Sequence, residues 1–197
     1  MLLTAEICQW LNENLGVAAT ETALQEAYSF GHPLNVTRQL VQLETNVDAP
    51  ISIFWKVAFF DGSGVPLLNG QNLQRRVFAG AALFANEGRG VVAQNLTLFL
   101  RNGIKRQKFA TALYQSEEAL FRAWGVREIH VFPSDDGMTV WMKSFKFQPK
   151  HPDLLGLRYS AWARHRNIPQ DPPQDPADYP VDFLSEHGQV DLYKVLA

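Results

Sequence analysis

The sequence predicts an α/β fold in which helices flank a mixed central sheet. Segments rich in β-branched and aromatic residues alternate with segments whose apolar residues recur at helical spacing. Clusters of glycine and proline separate these segments, as expected for loops between regular elements. With 46% hydrophobic residues, a chain of 197 residues is also long enough to bury the core of a folded domain.

Two helices are predicted at the start of the chain. Apolar residues recur on one helix face over 4–15, with Thr4 as the N-cap and Gly16 as the stop. A second helix is predicted over 20–30, and the Gly-His-Pro sequence that follows it ends it. We assign residues 1–33 to an N-terminal helical segment of the same domain.

Strands and one long helix are predicted in the middle of the chain. Four segments have the composition and alternation of strands: 36–44, 51–60, 73–85 and 91–100. The last two flank NEGRG, a sequence typical of a β-hairpin connection. A helix of about 20 residues and a strand over 127–132 follow. We assign 34–167 to the α/β core.

The long helix is predicted to be amphipathic. Its buried stripe consists of Leu113, Leu120, Phe121 and Trp124. The side chains predicted to face water are Gln115, Glu117, Glu118 and Arg122.

The turn that leads into this helix is unusually basic. Lys105, Arg106 and Lys108, preceded by Arg101, have no carboxylate between them. Unpaired amide groups and the helix dipole already favour an anion at a helix N-terminus. The sequence therefore indicates a phosphate site, and the alternative is a solvated turn.

LTLFLRNGIKRQKFATAL, which contains this turn, resembles the GNAT family of N-acetyltransferases. Lys105 falls on the first basic or amide position of the family's phosphate-binding motif, Lys108 on its first glycine, Ala110 on its second small residue and Leu113 on its leucine. WGVREIHVFPSDDGMTVWMKSFKF is similar to the strand, turn and terminal motif that follow in the family. The resemblance covers roughly 73–147. An alternative alignment with one gap starts the phosphate-binding motif at Gln107 instead of Lys105.

The resemblance implies a GNAT-like acyl-CoA N-acyltransferase fold and an acyltransferase activity. Acetyl-CoA, or another acyl-CoA, would be the donor substrate, and a small-molecule or peptide amine would be the acceptor. The implied cofactor-binding residues are Leu98, Phe99, Leu100, Lys105, Arg106, Gln107, Lys108, Phe109 and Ala110. The implied catalytic candidates are Tyr114, Ser134 and Asp135. The alternatives are a packing role for the tyrosine and a turn or capping role for the other two.

The sequence departs from the family's pattern at several positions. Lys108 and Lys146 stand where the family has glycine, and Met142 stands where it often has a tyrosine general acid. The strand predicted over 91–100 contains no carboxylate in the place of the common glutamate base. A second hypothesis is therefore a non-catalytic GNAT-fold module that binds a protein partner or nucleic acid.

The end of the chain combines a basic aromatic segment with an acidic one. Segment 158–167 has the mixture of charge and rings that binds single-stranded nucleic acid, through Arg158, Trp162, Arg164 and Arg166. The alternative is an edge strand whose arginines pair with the acidic residues of 171–182. Residues 168–180 contain many prolines and aspartates, so we predict an extended segment that either lies on the surface or acts as a linker. We assign 168–197 to a C-terminal extension.

Charge and composition argue against several classes of protein. A net charge of −2 gives no overall attraction to polyanions, and a lone cysteine cannot form an internal disulfide. The start of the chain lacks signal-peptide features, and no apolar run reaches the ~20 residues of a membrane span. We expect a cytoplasmic protein. The five histidines show no zinc-site spacing, and His130, on a predicted strand, is interpreted as partly buried with a partner rather than as a base.

Overall fold

The chain has an α/β fold in which helices flank β-sheet, and this confirms the predicted class. A computed structural model describes residues 4–29, 37–48, 50–60, 62–64, 79–86, 90–95, 108–133, 137–187 and 189–196. The chain forms two compact units, Met1–Arg127 with Leu196–Ala197, and Glu128–Val195. The division into 1–33, 34–167 and 168–197 stays a prediction. Every helix in the described part of the chain is too short or too polar to cross a membrane.

The described residues of the first unit form an antiparallel sheet and three helices. Its strands, which pair in chain order, are β1 (Thr37–Asn46), β2 (Ser52–Phe60), β3 (Ala79–Asn86) and β4 (Gly90–Asn95). Its helices are α1 (Thr4–Trp10), which continues as a π-helix over Leu11–Leu15, α2 (Glu21–Tyr28) and α3 (Phe109–Ala123). The antiparallel pairing of β3 with β4 confirms the predicted hairpin.

Local signals in the sequence set the ends of the first two helices. Gly16 ends the π-helix with a left-handed backbone at φ +63°, a conformation that costs glycine little. Thr20 caps α2, because its hydroxyl accepts a hydrogen bond from the Ala23 amide at 3.2 Å. Both features agree with the predicted boundaries.

Aromatic side chains on β2 form the core of the first unit. Trp55 and Phe59 are fully buried, as strand alternation requires for residues on one face. Phe109, the first residue of α3, meets the Phe59 ring edge-on with the centroids 5.3 Å apart. Trp124, at the other end of α3, packs edge-on against Trp55 at 6.4 Å. These two contacts fix both ends of α3 to the same strand.

The described part of the second unit contains a three-stranded antiparallel sheet, one helix of 14 residues and several shorter helical elements. Its strands are β5 (Glu128–Val131), β6 (Gln148–Pro149) and β7 (Leu192–Val195), and β7 pairs with both of the others. Its helical elements are α4 (Gly137–Thr139), which continues as a π-helix over Val140–Ser144, α5 (Pro152–His165), a 3-10 turn (Pro176–Asp178) and α6 (Val181–His187).

The segment predicted as an edge strand over 158–167 is helical, so that prediction is wrong. It forms the second half of α5, which begins with Pro152, a residue well suited to the first turn of a helix. Leu155, Tyr159 and Trp162 recur at helical spacing and are buried, so burying this face decides the conformation.

The segment rich in proline and aspartate lies on α5. The Tyr159 hydroxyl donates a hydrogen bond to the Pro169 carbonyl oxygen at 3.3 Å. A Cβ atom at Gly156 would come within 3.2 Å of the Pro172 ring, so this glycine allows the two segments to approach closely. Of the two predicted roles, surface segment or linker, the structure supports the first.

Candidate functional site

The N-terminus of α3 lies at the predicted phosphate site. Lys108 is the N-cap and has a left-handed backbone, at φ +61° and ψ +13°. The Ala112 amide donates to the Lys108 carbonyl oxygen at 2.9 Å. In an α-helix the amides ahead of this first bond have no partner within the helix. The first turn of α3 carries no acidic residue, so this helix end is electropositive.

The side chains around this helix start fix the direction of its backbone. Phe109 is fully buried against Phe59, whereas Lys108 is exposed and Ala110 is half-buried. The phenylalanine ring therefore points into the core of the first unit. Any contact of residues 108–110 with a ligand would be made by main-chain amides or by the Lys108 ammonium.

Two lysines occupy backbone conformations that normally favour glycine. Both Lys108 and Lys146 have φ +61°, and both stand where the GNAT pattern has glycine. A left-handed conformation costs an L-residue other than glycine about 1–2 kcal/mol. The alignment therefore located two of the three non-glycine residues that have a left-handed backbone in the described part of the chain; the third is Asn167.

We expect Lys146→Gly to raise the free energy of unfolding by about 1 kcal/mol, because glycine relieves the left-handed strain at some cost in chain entropy. Lys146→Ala is the matched control, since it removes the same charge and keeps the strain. Urea denaturation of both variants measures the difference. A glycine variant no more stable than the alanine variant would contradict this explanation.

Tyr114, one of the three catalytic candidates, is buried on α3 with 3% of its surface exposed. Burial, and then a hydrogen bond to Glu118, raise the pKa of Tyr114 far above its usual value. The phenol therefore stays protonated and is poorly suited to releasing its proton. This environment favours the packing role that the sequence left as an alternative. Met142, which stands where the family often has a tyrosine general acid, is also buried, with 1% of its surface exposed.

The other predicted site residues fall mostly outside the described part of the chain. Two catalytic candidates, Ser134 and Asp135, lie outside the described residues. The same is true of the predicted donor-binding residues Leu98, Phe99, Leu100, Lys105, Arg106 and Gln107. Their assignments stay predictions. Of the predicted donor-binding set, the structure places Lys108, Phe109 and Ala110, consecutively at the start of α3.

Glu117 on α3 is buried, and the prediction that it faces water is wrong. The Tyr28 hydroxyl donates to Glu117 Oε1 at 3.0 Å, and Trp55 Nε1 donates to the Tyr28 hydroxyl oxygen at 2.8 Å. Burial raises the pKa of Glu117 to about 7, and the hydrogen bond from Tyr28 opposes this shift. Glu117 lies four residues after Leu113 and four before Phe121, on the predicted buried stripe. Its spacing, rather than its charge, is the signal that could have located it.

The arginines of the basic aromatic segment have partners within the second unit. Arg166 forms ion pairs with Asp182 and Glu186, both at 3.0 Å, and its guanidinium lies 4.6 Å from the Trp162 ring centroid. Arg158 donates to main-chain carbonyls at and beyond the end of α6, the shorter bond being 2.8 Å. The predicted pairing with the acidic segment is thus confirmed for Arg166, and nucleic-acid binding here would require these contacts to break.

No protein-family model and no curated protein matches the chain. Solved structures that match it include an acetyltransferase of the GNAT family from Staphylococcus aureus Mu50. It is 11% identical, with 74% of this chain and 68% of that chain covered and a TM-score of 0.39. A GNAT family N-acetyltransferase from Escherichia coli, in complex with CoA, is 12% identical, with 98% and 76% covered and a TM-score of 0.34. Both belong to the family that the sequence resembles, but TM-scores below 0.5 do not by themselves assign the chain to it.

Proposed function

We propose that this protein is a divergent GNAT-type enzyme that transfers an acyl group from acyl-CoA, with acetyl-CoA as the first candidate, to an amine. The observation that carries the proposal is the left-handed backbone of Lys108 immediately before α3. This residue aligns with a glycine of the family's phosphate-binding motif, and an electropositive helix end follows it.

The donor would be held mainly by the main chain. The amides of 106–110 would contact the pyrophosphate, and Lys105, Arg106 or Lys108 would add charge. The pantetheine arm would pair with 98–100, whose amides would stabilise negative charge on the thioester oxygen. The acceptor amine would then attack directly in a complex of enzyme, donor and acceptor.

Direct attack requires the enzyme to move two protons. One leaves the attacking amine, and one is delivered to the thiolate of CoA. We assign the delivery to Ser134 or Asp135, because the burial of Tyr114 favours packing for that residue. A cytoplasmic location likewise stays a prediction from the sequence.

A second candidate function is a non-catalytic module with the same fold. Two features favour it: the buried Met142 at the position where the family often has tyrosine, and the absence of a carboxylate from the sequence of β4, GVVAQN. Such a module would bind a protein partner or nucleic acid without turning over an acyl-CoA.

Thermal unfolding in the presence of acetyl-CoA and of free CoA tests the proposed donor site. A ligand at about 100 times its Kd stabilises the folded state by about 2.7 kcal/mol, which corresponds to a rise in Tm of roughly 5–10 °C at this size. We expect both ligands to raise Tm.

Charge-reversal variants test where the ligand binds. The shift should disappear in the double variant Lys105→Glu with Arg106→Glu, because the added carboxylates repel the pyrophosphate. It should persist in Arg164→Glu, which makes the same kind of charge change on an exposed part of α5. No shift of the wild type with either ligand at millimolar concentration would favour the non-catalytic module.

A further inference from the structure

One face of α5 is exposed along the helix and includes large apolar side chains. Leu157 is 71% exposed, the largest fraction for any large apolar side chain in the described part of the chain, and Leu154 is 42% exposed. Ala161 is exposed about one turn after Leu157. The three residues recur at i, i+3 and i+7, so they form one stripe, opposite the face that is buried in the second unit. Apolar side chains grouped in this way on a surface mark interaction sites.

The two ends of this face carry opposite charges. Asp153 lies in the first turn of α5 and Arg164 in the last turn, where the helix dipole favours each sign. Eleven positions, close to three helical turns, separate them, so both lie along the same edge of the face, about 16 Å apart. In the described part of the chain neither side chain forms an ion pair, and Arg164 Nε donates to Gln170 Oε1 at 3.4 Å. One charge of each sign is therefore available to a partner.

The other arginines near this face are held within the second unit. Arg158 Nη1 donates to the main-chain carbonyl oxygen of Gln189 at 2.8 Å, so its guanidinium is turned towards the end of α6. Arg166 is paired with two carboxylates of α6. Asp153 and Arg164 then leave the face without an excess of either sign. This balance disfavours nucleic acid or an anionic membrane as the partner, because both attract clusters of cations on a protein.

A second copy of α5 complements this face when the two helices run antiparallel. With a two-fold axis level with residue 159, Asp153 of each copy lies beside Arg164 of the other. In the same register Leu157 of each copy lies against Ala161 of the other, whose small side chain leaves room for the leucine. The opposed dipoles of the two helices add to the attraction. The apolar stripe, the charges and the helix dipoles therefore all favour one register.

The size of the face limits the strength of this pairing. α5 has 14 residues, so it is about 21 Å long and, with its side chains, about 10 Å wide. Contact between two helices of this length buries less surface than the ~1,200 Å² of a small stable interface. We therefore expect association that is weak and depends on the concentration of the protein.

We propose that the exposed face of α5 pairs with the same face of a second copy of this chain, in an antiparallel dimer with two-fold symmetry. Each copy contributes the stripe of Leu154, Leu157 and Ala161, and the dimer contains two ion pairs between Asp153 and Arg164. Such an interface uses the same surface on both copies, so association stops at two chains. The proposal does not depend on the acyltransferase function, because every residue that it uses lies in the second unit.

Sedimentation velocity of the full chain, from about 1 μM to about 1 mM, tests whether the dimer forms. We expect the average mass of the wild type to rise with concentration from that of one chain towards that of two. Leu157→Lys should stay monomeric, because pairing would bury an ammonium group without a partner. Its circular dichroism should match that of the wild type, since this side chain is exposed. Val47→Lys, at a position just after β1 that is 64% exposed, is the matched control and should associate as the wild type does.

Charge variants test the antiparallel register. Asp153→Arg and Arg164→Asp should each raise the Kd of self-association by at least about tenfold, because each homodimer would then contain two pairs of like charges. An equimolar mixture of the two variants should recover the dimer, since both ion pairs of the mixed dimer join an arginine to an aspartate. A folding defect in either variant would not be reversed by mixing, so recovery identifies the register.

Three results would overturn the proposal. The first is a wild type that stays monomeric over the whole concentration range. The second is a wild type that associates while Leu157→Lys associates equally well, which would place the interface elsewhere. The third is a mixture of the two charge variants that does not recover the dimer. A monomeric wild type that binds single-stranded DNA, and loses this binding in Arg164→Asp, would assign the face to nucleic acid instead.

Discussion

Replacing Glu117 with glutamine is expected to stabilise the protein by about 3 kcal/mol at pH 8 and to change its stability little at pH 4. The folded-state pKa of Glu117 is about 7, against a usual value of 4.5. Each unit of pKa difference corresponds to 1.36 kcal/mol, so the difference between the folded-state pKa and the usual pKa of Glu117 accounts for about 3 kcal/mol.

The sign follows from the protons bound in each state. Below about pH 4.5 the carboxyl group is protonated in both the folded and the unfolded protein. As the pH rises towards 7, only the folded state keeps the proton, so the free energy of unfolding falls. Above pH 7 the Glu117 carboxyl group is ionised in both the folded and the unfolded protein, and the free energy of unfolding falls no further. Glutamine does not ionise, and its oxygen can still accept the Tyr28 hydroxyl proton.

Urea denaturation of the wild type and Glu117→Gln from pH 4 to pH 8 measures this effect as a difference at each pH. The matched control is Glu26→Gln, at an exposed position on α2, which should follow the wild type throughout. If the free energies of unfolding of Glu117→Gln and the wild type change in parallel with pH, the buried carboxyl group does not titrate in this range.

Truncating Phe183 on α6 is expected to destabilise the second unit by about 3–5 kcal/mol, the usual cost of a Phe→Ala change in a core. The Phe183 ring is fully buried, and its centroid lies 5.4 Å from those of Tyr159, Trp162 and Tyr179. The cavity would therefore open at the centre of an aromatic cluster. The same cluster includes Tyr179, which immediately follows the 3-10 turn of the acidic segment.

Urea denaturation and limited proteolysis follow the two consequences of Phe183→Ala. Besides lower stability, we expect faster cleavage within 168–180, because Tyr179 loses its stacked partner. Val181→Ala, on the same helix but 54% exposed, is the control and should change stability by less than about 0.5 kcal/mol. A Phe183→Ala variant within 1 kcal/mol of the wild type would contradict this view of the core.

The elements predicted best from the sequence were those whose signals are local. Apolar spacing located α3, which the structure places at Phe109–Ala123. The turn signals around NEGRG located the hairpin of β3 and β4. In both cases a periodic pattern and its flanking residues lie within about 25 residues of sequence, so no distant contact is needed to interpret them.

The errors arose where distant residues decide the outcome. The spacing of Glu117 on α3 indicates burial, but its hydrogen-bond partner Tyr28 is 89 residues away in sequence, and a local pattern cannot reveal that partner. The second half of α5 was predicted as a strand from its mixture of charged and aromatic residues, although its apolar residues recur at helical spacing. Burial of Tyr159 and Trp162 against α6 and the acidic segment favours the helix.

The candidate site was predictable as a backbone conformation more than as a set of side chains. Alignment of Lys108 and Lys146 with glycine positions identified two left-handed residues. In contrast, the partner of His130 was not foreseen. Glu128 is only two residues away, but the contact between them depends on both side chains lying on one face of a strand.

The position of β7 affects how the protein folds during synthesis. β7 lies between β5 and β6 in the sheet of the second unit, although it follows both in the chain. At the usual rate of translation, the roughly 60 residues that separate β5 from β7 take several seconds to make. Until then, the facing edges of β5 and β6 have no β7 to pair with. A nascent chain at this stage would expose open strand edges, so chaperone binding or aggregation is most expected just before β7 emerges from the ribosome.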